Sequence, residues 1–452
     1  MNRKEFVRTS SMAAAAVAFA PQFRFFNSAS EQKVKLAIIG VGARGQSHLD
    51  LVLRRDDVDL IAICDVEPHA IENSKKIIQQ SGKKMPQIFT GDNYAWKKML
   101  EVKGGLDGVI IATPWEWHAP MVIGALEAGL KYVATEVVLA LTLQEHWDVV
   151  KAAEKYNSNV MMLENVCYRR DVMAVLNMVR QGLFGELIHL QGGYQHNLRD
   201  VKFNNGYGGA PHGVEFGEKA YSEAHWRTEH AVHRNGDLYP THGIGPIANY
   251  ININRGNRFT SLASFSSKSR GLHDYIVKWG GENHPNAKVK FKLGDVVTTS
   301  INCANGETIL LQHDTDLPRP YSLGFRVQGT EGLWMDVSKT IYIDDKSAHE
   351  DEWDDEKAWL DKYDHPLWIR WSKQTEGAGH GGMDFFVIHS FVESIKRNKP
   401  TPMDVYDAAT WSAITPLSEH SIELGNQPVE FPDFTEGQWM YRRPVFALTD
   451  EY

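Results

Sequence analysis

Three glycines, Gly40, Gly42 and Gly45, spaced as GxGxxG, sit between an apolar run, "VKLAIIG", and a helical stretch, "QSHLDLVLRR". In that setting each has a distinct role. The first permits a tight turn, the second lets a pyrophosphate approach the backbone, and the third lets helix and strand pack closely. Phosphates would then face the free N–H groups of a helix N-terminus. Asp65 closes the next apolar run, "VDLIAIC", where its carboxylate would accept ribose hydroxyls and repel a 2′-phosphate. The pattern points to NAD rather than NADP, while Arg44 in the turn is placed to meet either phosphate group. Further along, "ATPWEWHAP" sets Trp115, Glu116, Trp117 and His118 after one apolar run. "ATEVV" sets Glu136 and Val137 after the next, and "LENVCYRR" sets Asn165 and Tyr168 after a third. Ligands of open parallel sheets bind at such strand ends.

A second centre is "LYPTHG", with Tyr239 and His242 three apart on a Pro-containing turn or first helical turn, which brings both to one side. Histidine titrates near working pH and suits removal of a proton from an activated carbon. His242 is therefore the leading base, against a structural turn histidine as the competing reading. Tyr239 is a second proton-transfer group or a nicotinamide contact. His380 and Asp384 in "GHGGMD" are spaced i, i+4 at a helix start. They offer a metal pair or an N-terminal cap; no third ligand is evident, so the cap is preferred and no metal is expected.

These side chains need a frame, and the patterning supplies one. From Val34 to about Glu164, five strand-like runs ("VKLAIIG", "VDLIAIC", "DGVIIAT", "KYVAT", "NVMML") alternate with helical stretches, "APMVIGALEAG" among them. Continuous apolar runs fit parallel strands buried on both faces. After "ENVCYRRDVMAVLNMVRQGLFG" the texture changes. Runs such as "ELIHLQGGYQ", "FTSLASFSS", "VVTTSINCANG" and "TILLQHDT" alternate as antiparallel strands do. The expected fold is α/β: an N-terminal Rossmann-type doubly wound parallel sheet, then an α+β domain with an open, mainly antiparallel sheet. The expected divisions are a signal peptide at 1–30, an NAD-binding domain at 31–165 and a substrate domain at 166–452. The acidic stretch "HEDEWDDEKAW" reads as a solvated surface helix or insertion.

Bulk properties narrow the function. A chain of 452 residues with 42% apolar residues can build real cores, and a net charge of −9 argues against a nucleic-acid footprint. Three cysteines, Cys64, Cys167 and Cys303, form no CxxC pair and suggest neither a disulfide framework nor a zinc cluster. "MNRKEFVRTSSMAAAAVAFAPQ" has the basic start, short apolar run and small residues of a secretory signal, too short to anchor the mature chain in a bilayer. "NRKEFVR" is similar to a twin-arginine signal with Lys4 in place of the second arginine, which implies export of a folded protein to the periplasm. Cleavage is expected after Ala20 or near Ala29.

The first 165 residues resemble the glucose–fructose oxidoreductase/inositol dehydrogenase superfamily. "PWEWH", "ENVCYRRDVMAVLNMVRQGLFGE", "GGYQH", "LYPTHGIGP", "NRGNRF", "VQGTEGLW" and "GAGHGGMDFF" together resemble glycoside hydrolase family 109, over nearly the whole mature chain. That resemblance implies an NAD-dependent α-N-acetylgalactosaminidase acting on glycans that carry a terminal N-acetylhexosamine. It implies a cycle without net redox, in which the sugar is oxidised at C3, deprotonated at C2, loses its C1 substituent, takes up water and is reduced again. It also implies that Arg44, Gly45, Asp65, Trp115, Glu116, Trp117, His118, Glu136, Val137, Asn165 and Tyr239 contact NAD. Tyr194, Arg227, Tyr239, Pro240, Thr241, His242 and Tyr321 would contact the sugar, with Gln195 and His196 beside them. Glu136 is either a ligand or an acid supporting one. Most superfamily dehydrogenases carry Glu-Lys-Pro where this chain has Glu136-Val137-Val138, so the lysine used in hydride chemistry is missing.

Two rival readings keep the same frame: a sugar or polyol dehydrogenase that releases NADH, and an exported sugar-binding protein holding NAD as a structural ligand. The open sheet also invites a homo-oligomer.

Overall fold

The computed structural model describes residues 33–206 and 212–452; the signal peptide expected at 1–30 lies outside them. Six parallel strands form the first sheet: β1 (Val34–Ile39), β2 (Val58–Cys64), β3 (Gln87–Phe89), β4 (Gly108–Ile111), β5 (Tyr132–Thr135) and β6 (Asn159–Met162). Their order, β3-β2-β1-β4-β5-β6, is that of a doubly wound sheet whose winding reverses between β1 and β4. Leu36, Ala37, Ile38, Val109, Ile110 and Ile111 are wholly buried, which is why these strands read as unbroken apolar runs. β3 was not among the five expected strands. It has three residues at the sheet edge, none of them fully buried, so it leaves no periodic signal.

The helix after β4 begins at Trp115, earlier than "APMVIGALEAG" suggests, with Pro114 before it and Pro120 inside. Pro120 is the sixth residue of this helix, so it takes away the N–H that would bond the Glu116 carbonyl and crowds that carbonyl with its ring. "WEWH" is therefore the first helical turn rather than part of the preceding loop.

The second sheet has nine strands: β7 (Leu187–Gln195), β8 (Phe259–Ser266), β9 (Val297–Cys303), β10 (Thr308–Asp314), β11 (Arg326–Gly329), β12 (Gly332–Met335), β13 (Thr340–Ile343), β14 (Asp354–Asp355) and β15 (Val429–Glu430). They run in the order β14-β13-β12-β11-β7-β10-β9-β8-β15, antiparallel except where β7 meets β10. In β9, Val297, Thr299, Ile301 and Cys303 point inward while Ser300 and Asn302 are exposed, the period of two that the sequence displays. The acidic stretch is only partly solvated. Asp354 and Asp355 pair with β13, and the buried Glu356 accepts the Trp334 indole N–H at 2.6 Å.

The end of the chain returns to the first sheet. The Met383–Arg397 helix packs on β1 and on the Ala43–Leu53 helix, and the Val405–Ser412 helix packs on β6. The strands of the parallel sheet end at Met162, whereas part of its covering layer comes from beyond residue 380. Among the described residues, no helix is long and apolar enough to cross a membrane.

Candidate active site

The glycine turn divides its labour as the spacing demands. Gly40 has φ +83°, and a Cβ there would lie 2.5 Å from the Ala112 oxygen; a Cβ on Gly45 would lie 1.9 Å from the Gly40 oxygen. Gly42 faces open space, with nothing within 4 Å of its Cβ position. Two glycines therefore serve packing, and the one left facing outward is where a phosphate would approach. Asp65, at the end of β2, accepts the Val41 N–H at 2.7 Å and the Glu67 N–H at 2.8 Å through different oxygens. Burial raises its proton affinity, and those backbone donors partly offset the rise. Across the strand ends, Asn165 Oδ1 and Thr241 Oγ1 are buried with no hydrogen-bond partner among the described residues. An open Gly42, an acid at the end of β2 and two orphaned polar atoms on the far rim fit a dinucleotide.

The other residues expected at the cofactor have separate surroundings. Trp115 is buried, its ring centroid 5.1 Å from Trp226, 5.0 Å from His230 and 5.8 Å from Tyr239. Trp117 turns the other way, edge-on to Tyr94 at 5.9 Å, so the two tryptophans do not form one wall. Glu116 is half exposed, 3.9 Å from His230. His118 is wholly buried between the Val138 and Thr113 carbonyls at 2.6 and 2.8 Å, where it ties the helix start to the segment after β5. Val137 is buried and aliphatic, at the position where the resemblance implies that most superfamily dehydrogenases carry a lysine. The Arg44 side chain is spent on carboxylates: Nε meets Glu136 at 2.7 Å, and Nη1 and Nη2 meet Asp384 at 2.7 and 3.1 Å. Glu136 also bonds His48 Nε2 at 2.6 Å, so it supports the turn from beneath.

His242 owes its position to a close backbone contact. It occupies the first turn of the Thr241–Tyr250 helix, with Pro240 as the preceding residue. That helix lies so near β7 that a Cβ on Gly243 would fall 2.4 Å from the Gly193 nitrogen. The glycines of "GGYQH" and "THG" thus bring Tyr194 and His242 together, ring centroids 5.1 Å apart. Nδ1 of His242 meets both oxygens of Glu164, at 2.7 and 2.9 Å, and the Glu164 side chain is 0% exposed. Glu164 also accepts the Val166 N–H at 3.0 Å, which locks its own orientation.

Around this pair is an aromatic pocket. Tyr239 lies 4.8 Å from Tyr194 and 4.8 Å from His242, and Tyr321 lies 4.9 Å from His196. The buried Arg227 guanidinium stacks between Trp115 and Tyr239, at 5.2 and 4.9 Å, and pairs with Glu223. Burial pushes the Tyr194 phenol up to about 12 and raises Tyr239 and Tyr321 further, so all three stay protonated and donate hydrogen bonds. Burial, with Arg227 next, lowers His196 to about 4 and keeps it neutral. Gln195 turns aside, its side-chain oxygen accepting Arg319 Nη2 at 2.7 Å.

A second histidine–carboxylate pair faces the same region. His380 Nδ1 lies 2.7 Å from Asp384 Oδ2; the Asp384 side chain is 0% exposed, the His380 side chain 55%. Asp384 also accepts Asn165 Nδ2 at 2.7 Å, and Asn165 directly follows Glu164, so the two histidine–carboxylate pairs sit side by side at the end of β6. Asp384 is not a helix cap, as the sequence suggested: Gly382 holds the cap position and receives no side-chain bond. Among the described residues no cluster of three metal-binding side chains occurs.

The sequence reading missed Glu164, His48 and the true partners of Asp384. Glu164 carried a usable signal, an acid at a strand end directly before the chosen Asn165. His48 carried none, since it reads as one more helix-face residue.

Residues 168–441 match the family described as glycosyl hydrolase 109, C-terminal domain, and residues 34–164 match the oxidoreductase family with an NAD-binding Rossmann fold. A glycosyl hydrolase family 109 protein of Stenotrophomonas maltophilia (strain K279a) is 57% identical, covering 100% of this chain and 99% of its own. A protein of Tannerella forsythia named alpha-N-acetylgalactosaminidase is 52% identical, covering 93% of this chain and 90% of its own. Among solved structures, levoglucosan dehydrogenase in complex with NADH and levoglucosan shares the fold, with a TM-score of 0.64 at 18% identity over 89% of this chain and 100% of that one. A Rossmann sheet with an open glycine turn, joined to a pocket built on a histidine–glutamate pair, and relatives matched along the full chain lead to one assignment: the chain belongs to glycosyl hydrolase family 109.

Proposed function

We propose that the chain is a glycosidase that holds NAD and releases terminal α-linked N-acetylgalactosamine from glycans without net redox. The observation that carries this reading is the His242–Glu164 pair, a base with a fixed tautomer among protonated phenols at the strand ends. The name of the Tannerella forsythia relative supports the sugar.

Gly42, Asp65, Asn165 and Thr241 would hold the dinucleotide. When bound, NAD would supply reversible oxidation of the sugar at C3, taking the hydride while the C3 hydroxyl proton passes to solvent and returns on reduction. A C3 ketone acidifies the C2 proton, and Nε2 of His242 takes it while Glu164 keeps the other ring proton on Nδ1. Tyr194 and Tyr239 donate to sugar oxygens, and Arg227 orients the ring with its remaining N–H groups. The His380–Asp384 pair serves the leaving side. With Nδ1–H directed at Asp384, Nε2–H of His380 gives its proton to the glycosidic oxygen as the C1–O bond breaks. Water then adds at C1 and returns a proton to His380, His242 reprotonates C2 with a proton exchanged from solvent, and the sugar regains its starting oxidation level.

The dehydrogenase alternative lacks its amine, because Val137 stands at the lysine position. The leader-like residues 1–30 support export to the periplasm, which cell fractionation with an antibody to the mature chain would test.

The deciding experiment uses glycosides deuterated at C2 or C3. The expected results are a slowed rate with each label, solvent hydrogen at C2 of the released sugar, and no accumulation of NADH. Cleavage at full rate with both labels retained overturns the reading.

A further inference from the structure

Arg44 is part of the glycine turn by sequence but of a different site by its side chain. At least three of its five N–H groups are committed to two carboxylates, Glu136 through Nε and Asp384 through Nη1 and Nη2. The two-point grip on Asp384 is the planar, paired geometry that only a guanidinium gives. Asp384 in turn takes Asn165 Nδ2 at 2.7 Å and His380 Nδ1 at 2.7 Å. Its oxygens are thus shared among one arginine, one amide and one imidazole, and its side chain has no solvent exposure. The ring it steers is on a glycine-rich segment. Gly377, Gly379, Gly381 and Gly382 all have positive φ, and His380 itself has φ 42°. An imidazole more than half exposed is fixed little by packing alone. The Asp384 contact does so, and Arg44 fixes Asp384.

We propose that Arg44 is a positioning residue rather than a phosphate ligand: through Asp384 it aims the His380 ring and links the nucleotide turn to protonation of the leaving group. This rests on the assignment of His380 as the leaving-side donor. Removing Arg44 leaves Asp384 free to turn, and the His380 ring loses its fixed direction. Such a defect is felt in proportion to how much protonation the leaving oxygen needs. A phosphate ligand would instead lose cofactor, whatever the leaving group.

The test compares p-nitrophenyl and methyl α-N-acetylgalactosaminides in wild type, Arg44→Lys, Arg44→Gln and His380→Asn. Bound NAD is measured after denaturation, and NAD affinity by calorimetry. Lysine keeps the charge but cannot bridge Glu136 and Asp384 together. The expected result for both Arg44 variants is full NAD content, p-nitrophenyl turnover within about threefold of wild type, and methyl glycoside turnover reduced by about 30-fold or more. Loss of NAD affinity with equal loss on both substrates overturns the proposal and makes Arg44 a phosphate ligand. If His380→Asn discriminates between the substrates and the Arg44 variants do not, only the Arg44 link fails. If His380→Asn does not discriminate, the donor assignment itself fails and the link with it. Arg44→Lys is the variant to trust for folding, since it leaves no unpaired carboxylate buried without a nearby cation.

Discussion

Both oxygens of the Glu164 carboxylate face Nδ1 of His242, at 2.7 and 2.9 Å, from a position sealed from solvent. A carboxylate only accepts, so the Nδ1 proton is held there and the Nε2 lone pair is left toward the pocket. Glu164→Gln reverses this. An amide donates to Nδ1, moves the ring proton to Nε2 and removes the base without removing the ring. Turnover is expected to fall by roughly 10³- to 10⁴-fold, the scale seen when an aspartate orienting a catalytic histidine becomes asparagine. NAD content should not change. Exchange of the C2 hydrogen with solvent, followed by NMR, should fall in parallel; a variant that exchanges at the normal rate would show that another group is the base.

Gly42 and Gly45 separate cofactor binding from folding. A Cβ at Gly42 meets nothing within 4 Å, while one at Gly45 would lie 1.9 Å from the Gly40 oxygen. Gly42→Ala should therefore melt within a degree or two of wild type once NAD is removed from both, yet bind NAD about tenfold or more weakly. Gly45→Ala should be destabilised by about 2 kcal/mol or more, because backbone atoms must move apart. Thermal melting of the stripped proteins and calorimetric titration with NAD check both. Equal melting temperatures for the two variants would contradict the division of roles.

Much of this was legible beforehand, for identifiable reasons. The GxGxxG turn, Asp65 and the buried strands are local features, and local sequence carries them directly. The "GGYQH" and "THG" segments resembled family motifs, but their physical reason, Gly193 backbone against Gly243, joins positions fifty residues apart and has no local signature. The same holds for Arg44 and Asp384, whose pairing spans 340 positions. Nothing in the spacing of "GHGGMD" reveals an arginine arriving from the glycine turn, and i, i+4 geometry alone leaves a cap or a metal pair as the readings. Trp115 and Trp117 follow one strand as near neighbours in the sequence, but they belong to a helix. Two residues apart on a helix, side chains point about 200° apart, and the structure duly sends them to different neighbours.

Arg227 combines charge with a flat surface. Its guanidinium lies 5.2 Å from the Trp115 ring and 4.9 Å from the Tyr239 ring, and it is paired with Glu223. Lysine would keep the charge and lose the stacked plane and the fork of donors. Arg227→Lys should raise KM for the glycoside by about tenfold, with a smaller effect on kcat, because the lost contacts hold the sugar in every state of the reaction. Initial-rate kinetics on a single chromogenic glycoside would measure this. A fall in kcat at constant KM would assign Arg227 to the bond-breaking step instead.

Asp237 makes a stability prediction with a definite sign. It is 1% exposed, its Oδ1 accepts the Tyr239 N–H at 3.1 Å, and burial raises its carboxyl to about 7. An unfolded aspartate releases its proton near pH 4. Below that pH both states are protonated and the group is neutral with respect to folding. Between about pH 4 and pH 7 the folded chain keeps a proton that the unfolded chain has lost, so stability falls as pH rises. Above about pH 7 the loss is complete, with an upper bound of about 4 kcal/mol for a shift of about three units. Asp237→Asn keeps an oxygen for the Tyr239 N–H and removes the titration. The variant should match wild type near pH 4 and become progressively more stable than it up to about pH 7, with a constant advantage above. Melting temperatures of both proteins across that range decide the matter: a difference that does not vary with pH would mean that Asp237 is ionised in the fold at no cost, and that the start of the Tyr239–His242 segment tolerates a buried charge.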